Sequence, residues 1–259
     1  MILLTIDIGN TNITLGVFED ESILETFRLP SDKELPQEEY EILLHTLFKK
    51  YKITACIIAS VVDELTRTLK HAADNVFHLN SIVLTNKLNL GINLKLKNPR
   101  EAGADRIANA CGAYMLYSKP AIIVDIGTAT TFDILDKNGD FLGGVIMPGP
   151  NLQFRALNKS TSKLPKIDAN TVDKAIGNNT ADAILSGVIR GSACAIEGLI
   201  EQCEAELGDR AVIIATGGYS SLISKYMNRQ FDFVNPYLTL EGLRFLYELN
   251  KTILTKCEK

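Results

Sequence analysis

An aspartate two residues ahead of a glycine, each time at the end of an apolar run, occurs twice in this chain, 118 residues apart. The first copy reads Asp7-Ile8-Gly9-Asn10-Thr11-Asn12 after the run Ile2 to Ile6. The second reads Asp125-Ile126-Gly127-Thr128-Ala129-Thr130 after Ala121 to Val124. These residue types suit the handling of phosphate. Glycine lets the backbone approach a ligand, N–H groups and hydroxyls donate to phosphoryl oxygens, and the carboxylate holds a cation that offsets their charge. Hairpin geometry alone accounts for Asn and Gly, but not for an acid that recurs at the same offset. A third small-residue element, Ala215-Thr216-Gly217-Gly218-Tyr219, follows another apolar run and opens a helical pattern. Two carboxylates near a triphosphate repel it unless cations intervene, so Mg²⁺ and a monovalent ion are expected.

The sharpest segment outside the repeat is Asn98 to Ala110. Pro99 breaks the preceding strand-like stretch, and from Ala104 onward Ile107, Ala110 and Cys111 fall on one helical stripe. Asp105 and Arg106 then occupy the first turn. Asp there suits the helix dipole; Arg does not, which points to a partner or an anionic ligand. An aspartate that takes a proton from a substrate hydroxyl, beside an arginine that fixes a carboxylate, suits phosphoryl transfer to a small hydroxy acid. The chain has no G-x-x-x-x-G-K-[ST] and no G-x-G-x-x-G after a strand, which excludes a P-loop and a Rossmann dinucleotide site.

Around these residues the pattern is α/β. Strands are expected at Ile2 to Ile6, Ile13 to Phe18 and Ser22 to Leu29, a breaker-rich loop at Pro30 to Pro36, then helix Gln37 to Tyr51, strand Ala55 to Val62, helix Glu64 to Asn75 and strand Ser81 to Thr85. The second half repeats the opening with strands Ala121 to Gly127, Thr131 to Leu135 and Phe141 to Ile146, closed by a Pro/Gly loop from Met147 to Pro150. Helical patterns follow at Leu152 to Asn158 and Thr180 to Leu207, then a strand at Ala211 to Thr216, a helix at Ser220 to Met227 and an amphipathic segment at Leu240 to Leu254. The reading is a duplicated βββαβαβα, divided into lobes 1–117 and 118–259.

Composition bounds the partners. With 46% hydrophobic and 22% charged residues and a net charge of −4, the chain reads as an ordinary globular protein with no basic run for nucleic acid. No apolar stretch is read as approaching the roughly 20 residues that span a bilayer, and no signal-peptide pattern opens the chain, so the expected address is cytoplasmic. Five cysteines without a C-x-x-C pair, and three histidines without ligand spacing, argue against zinc. Cys56, Cys111 and Cys194 are expected to be buried reduced thiols.

Three strands opening each α/β half, with an acidic turn after the first, resemble the superfamily of sugar and acetate kinases, actin and heat-shock chaperone ATPases. That resemblance implies two ribonuclease-H-like lobes with an ATP cleft between them. Within it, Asp7 to Asn12, Gly103-Ala104-Asp105-Arg106, Asp125 to Thr131 and Gly143 to Gly149 resemble type III pantothenate kinase. So do Lys163-Leu164-Pro165, Gly177-Asn178-Asn179-Thr180, Ser186-Gly187 and Thr216-Gly217-Gly218, in family order over residues 1 to about 245.

The resemblance implies ATP-dependent phosphorylation of pantothenate to 4'-phosphopantothenate, the first step of coenzyme A biosynthesis. It implies that Asp7, Ile8, Gly9, Asn10, Thr11, Asn12, Ile13 and Thr14 wrap the ATP phosphates, with Asp7 near Mg²⁺ and Thr128 a further ATP contact. Asp105 matches the general base. Gly103, Ala104, Asp105 and Arg106 match the segment holding pantothenate, with Arg106 on its carboxylate. Asp125 matches the ligand of a monovalent cation, K⁺ or NH₄⁺. Thr180 matches a substrate contact supplied across a homodimer interface. Leu96 departs from the pattern, standing where many members carry a substrate-contacting Tyr seven residues before Gly103. Losing one neutral hydrogen bond weakens binding by about 0.5–1.5 kcal/mol. The alternatives are another small-molecule kinase of the superfamily and a non-catalytic nucleotide-binding regulatory homologue.

Overall fold

The computed structural model describes residues 1–160, 165 and 167–254; Lys163, Leu164 and Cys257 lie outside the described residues. The chain divides into two compact units. One comprises Met1–Asn93, Lys97–Leu116 and the chain from Leu238 onward; the other comprises Leu94–Leu96 and Tyr117–Tyr237.

The first unit opens with three antiparallel strands, β1 (Ile2–Ile8), β2 (Asn12–Glu19) and β3 (Ser22–Pro30). Helix α1 (Gln37–Phe48) leads to β4 (Ala55–Ser60), and α2 (Asp63–Phe77) to the short β5 (Ile82–Val83). The sheet order is β3-β2-β1-β4-β5, with β4 parallel to β1 and β5 parallel to β4. Parallel central strands are covered on both faces and read as continuous apolar runs, as Leu3, Leu4, Ile6 and Ile8 and then Cys56, Ile57 and Ile58 do. Leu4, Ile6, Ile8, Leu15 and Val17 meet Tyr40, Leu44 and Phe48 of α1 and Leu65, Leu69 and Ala72 of α2. Burying each of the Leu, Ile, Val and Phe side chains among them contributes roughly 1.5–3 kcal/mol.

Helix α3 (Ala104–Leu116) and the closing helix α8 (Leu238–Leu254) pack against each other and against this sheet. Glycine makes their approach possible. A Cβ on Gly242 would lie 1.9 Å from the Ala108 carbonyl oxygen, and one on Gly112 2.8 Å from that of Leu238. The last helix of the second sequence half is therefore a member of the first unit, whereas the sequence placed all residues from 118 on in the second lobe. The reason is packing: Leu238, Leu240, Leu243 and Leu246 are fully buried, and Asn250 locks Asn89, accepting from its N–H and donating to its carbonyl. Leu94–Leu96 go the other way, since Leu94 bridges to Phe141 and the Lys95 N–H donates to the Phe141 carbonyl at 2.8 Å.

The second unit repeats the plan. Strands β6 (Ala121–Ile126), β7 (Ala129–Leu135) and β8 (Phe141–Pro148) are antiparallel, and β9 (Val212–Thr216) and β10 (Phe233–Val234) extend the sheet in parallel, in the order β10-β9-β6-β7-β8. Helix α4 (Pro150–Ser160) follows β8, and α7 (Ser220–Ser224) follows β9. Between α4 and β9 runs one long helical stretch: α5 (Thr180–Leu185), a π-turn (Ser186–Arg190) and α6 (Gly191–Leu207). Its 28 residues are long and apolar enough to cross a membrane by length and composition, contrary to the reading that no such stretch exists. Its apolar side is spent on this unit's own core, where Ile184, Val188, Ile189, Ala193, Ile196 and Ile200 meet Ile122, Val124 and Phe132. Cys56 and Cys111 are buried as expected, and burial pushes both thiols up to about 12. Cys194 is exposed on α6, correcting the expectation of a buried thiol.

Candidate active site

Both acidic residues lie at strand ends, one residue short of the last. Asp7 of β1 stands opposite Thr14 of β2 and beside Ala59 of β4; Asp125 of β6 stands opposite Thr131 of β7 and beside Thr216 of β9. The two sheets thus present equivalent carboxylates, each facing a threonine across an antiparallel pair. The turns themselves differ. Ile8 pairs with Ile13, leaving Gly9 to Asn12 between them, whereas Ile126 pairs with Thr130, leaving only Gly127 to Ala129. The Gly9 N–H donates to Asn12 and the Gly127 N–H to Ala129, each at 3.0 Å. The six-residue motifs are therefore out of register beyond the glycine. Thr131, not Thr130, is the counterpart of Thr14, and Thr130 is buried.

In the first turn Asn10 and Thr11 are exposed, while Asp7, Gly9, Asn12 and Thr14 are half-buried. Ile8 and Ile13 are fully buried core residues, so only their main-chain atoms can meet a ligand. Ser31, in the loop after β3, holds the turn from outside. Its Oγ donates to the Gly9 carbonyl at 2.6 Å, and its N–H donates to the Thr11 carbonyl at 3.0 Å. Sequence reading passed over Ser31 as part of a breaker-rich loop, because nothing local marks a serine whose partner lies 22 residues away.

The Gly103–Arg106 segment reaches the same end of the first sheet. Gly103 caps α3, its carbonyl accepting from the Ile107 N–H at 3.0 Å, and a Cβ added to it would lie 3.7 Å from the Val61 side chain. Val61 follows β4 and donates its N–H to the carbonyl of Ile8, the neighbour of Asp7, at 3.1 Å. Ala104 and Arg106 are half-buried in the first turn of α3. The Asp105 Oδ1 accepts from the Arg106 N–H at 2.8 Å. Loss of hydration raises the pKa of Asp105 above its ordinary value, opposed by that hydrogen bond and by the Arg106 charge. A dehydrated carboxylate is a stronger proton acceptor than one in water, which is what a general base requires.

Asp125 is half-buried with glycine main chain close to its side chain. Gly217 takes a φ of +84°, and a Cβ there would lie 2.4 Å from Asp125 Oδ1. Gly149 donates its N–H to the Thr128 carbonyl at 3.0 Å, and a Cβ on it would fall 2.2 Å from the Gly127 carbonyl oxygen. Thr128 itself is exposed. Among the described residues no three His, Cys, Asp or Glu side chains gather as a metal cage. That donor set fits a divalent ion that arrives with phosphate oxygens, since Mg²⁺ is usually held by one or two carboxylates plus substrate.

A family model for type III pantothenate kinase matches residues 3–202. The chain belongs to the type III pantothenate kinase family. A type III pantothenate kinase of Dehalococcoides mccartyi strain CBDB1 is 44% identical over 254 residues, 96% of each chain, and one of Moorella thermoacetica is 39% identical, covering 96% of this chain and 99% of its own. Solved structures share the fold. The activator of 2-hydroxyisocaproyl-CoA dehydratase from Clostridium difficile, with bound ADPNP, matches at a TM-score of 0.59 and 13% identity over 100% of this chain and 98% of its own. A ROK family glucokinase from Streptomyces griseus, in complex with glucose and AMPPNP, matches at 0.52 and 15% over 95% and 99%. Family membership makes the chain an enzyme of the kinase class.

Two of this family member's expected substrate contacts stand on the second unit. Leu96 packs against β8, within 3.3 Å of where a Cβ on Gly143 would be. Thr180 is exposed at the start of α5, which is capped by Asn179 accepting from the Asp182 N–H at 2.9 Å. Thr180 also lines an open groove of about 640 Å³ with Leu157, Ile184 and Val188.

Proposed function

We propose that this chain transfers the γ-phosphoryl group of ATP to the primary hydroxyl of pantothenate, giving 4'-phosphopantothenate. The observation that carries the reading is Asp105, a dehydrated carboxylate with one oxygen anchored at the start of α3, at the sheet end that also bears the Asp7 turn. Asp105 takes the proton of the pantothenate hydroxyl as that oxygen bonds to the γ-phosphorus. The bond from the γ-phosphorus to the bridging oxygen breaks, and ADP leaves with the electron pair. Arg106 pairs with the pantothenate carboxylate, which fixes the hydroxyl relative to Asp105. The Asp7–Thr14 turn receives the phosphates with Mg²⁺, and Asp125 holds K⁺ or NH₄⁺. These ions supply positive charge against the oxygens of the transferring group.

We also propose a homodimer in which Thr180 serves the partner's substrate; its exposure beside an apolar groove supports this. Light scattering after gel filtration tests the assembly. The function is tested by coupled ADP release with pantothenate, with and without K⁺, and by the mass of the product. Pantothenate-dependent ADP formation with a product heavier by one phosphate is expected. ADP release that ignores pantothenate but responds to a sugar would move the chain to another substrate of the same superfamily.

A further inference from the structure

Gly103 has an ordinary backbone conformation, so no unusual φ explains a glycine at the cap of α3. What it meets does. A Cβ at this position would lie 2.5 Å from Asp105 Oδ1, where contacts under 3.0 Å essentially never occur. That oxygen also accepts the Arg106 N–H. The carboxylate is folded back over the first helical turn into space that any side chain at 103 would occupy. Asn98, which caps the preceding turn by accepting from the Arg100 N–H, shows that this segment does recruit polar caps.

We infer that Gly103 is a positioning residue: it leaves the seat in which Asp105 Oδ1 is anchored, so that Oδ2 is the oxygen turned to the substrate hydroxyl. The inference rests on the proposed role of Asp105 as base. A side chain at 103 shifts Oδ1 by at least about 0.5 Å, the difference between 2.5 and 3.0 Å, away from the position in which it accepts from the Arg106 N–H. Misplacement on the scale of an ångström costs up to about 100-fold in rate.

The test compares wild type, Gly103→Ala, Gly103→Ser, Asp105→Asn and the Gly103→Ala/Asp105→Asn double variant for kcat, both KM values and melting temperature. Serine is among the best helix caps and alanine among the poorest, so a plain capping role predicts that Gly103→Ser retains activity. The seat predicts that both Gly103 single variants lose kcat by about 10- to 100-fold with the ATP KM within about twofold, whatever their melting temperatures. In the Asp105→Asn background, adding Gly103→Ala should change kcat by less than about twofold, because the group it positions is gone. Wild-type kcat in Gly103→Ser overturns the inference, as does an undiminished further loss in the double variant. Wild type without pantothenate turnover removes the functional reading and this inference together; an active wild type with unaffected Gly103 variants removes this inference alone.

Discussion

Replacing Gly217 by alanine separates two costs that usually arrive together, because the chain supplies its own control. Gly208, at the end of α6, has a φ of +67° with nothing within 4 Å of an added Cβ, while Gly217 has a φ of +84° with Asp125 Oδ1 at 2.4 Å and Ile126 main-chain atoms at 2.7 Å. Gly208→Ala therefore meets only the left-handed penalty, about 1–2 kcal/mol. Gly217→Ala adds overpacking of about 1–3 kcal/mol. At about 2–4 °C per kcal/mol for a chain of this size, Gly217→Ala should melt about 2–12 °C below Gly208→Ala. The function should split more sharply. The added methyl has to displace the Asp125 carboxylate, so half-saturation by K⁺ should rise at least about fivefold in Gly217→Ala and stay at the wild-type value in Gly208→Ala. Differential scanning fluorimetry and a K⁺ titration of the coupled assay read both. Equal melting losses with equal K⁺ responses would refute the claim that Gly217 shapes the Asp125 site.

The remaining predictions concern the other carboxylates and the first turn. Because dehydration raises the Asp105 pKa, falling pH should silence the base above the ordinary aspartate value of about 3.9, and Asp105→Asn should lose both about 10²–10⁴ in kcat and this acid limb. A carboxylate with a raised folded pKa opposes folding when ionised, so Asp105→Asn should not lower the melting temperature at neutral pH. Ser31→Ala removes the bond to Gly9 and should raise the ATP KM about fivefold, equivalent to about 1 kcal/mol, with the pantothenate KM unchanged. Glu204 is held below its ordinary pKa by the Arg229 guanidinium, which donates at 2.5 and 2.8 Å, and by the Ala211 N–H. Its contribution is present above the unfolded Glu pKa and lost as pH falls through the lower folded one. Glu204→Gln should thus melt below wild type at pH 7, by an amount equivalent to about 1–2 kcal/mol, and the gap should close in acid.

Much of the architecture was legible because its central strands are buried on both faces. Central strands such as β1, β4, β6 and β9 read as continuous apolar runs, and α2 carries Leu65, Leu69 and Ala72 on one stripe. The two-residue strand β5 lies within the expected strand Ser81 to Thr85, whereas β10 gave no signal of its own; it carries exposed Phe233 and Val234, and its pairing with β9 is set by tertiary context. The assignment of α8 was not legible either. Its amphipathic pattern demanded a partner but could not say that Gly112 of α3 and Gly242 of α8 would let the two helices meet. At the site, residue types marked Asp7, Asp105 and Asp125, since acids beside glycine are locally conspicuous. Ser31 and the seats at Gly103 and Gly217 were invisible as such, because each acts through a contact that only the folded chain creates.

The duplicated acidic turn is not a duplicated site. One additional residue lets the first hairpin close over Gly9 to Asn12, with Asn10 and Thr11 exposed, and Ser31 steadies its carbonyls from outside. Main-chain donors and exposed polar side chains on an open turn suit a large polyanion, which must enter and leave each cycle. The second hairpin closes one residue sooner and is pressed by Gly149 and Gly217, whose missing side chains bring main chain against Gly127 and the Asp125 carboxylate. The carboxylate and main-chain carbonyls gathered there are hard oxygen donors of the kind alkali cations prefer. The difference in hairpin length thus supports the unequal roles proposed for Asp7 and Asp125 on geometry that their shared sequence motif conceals.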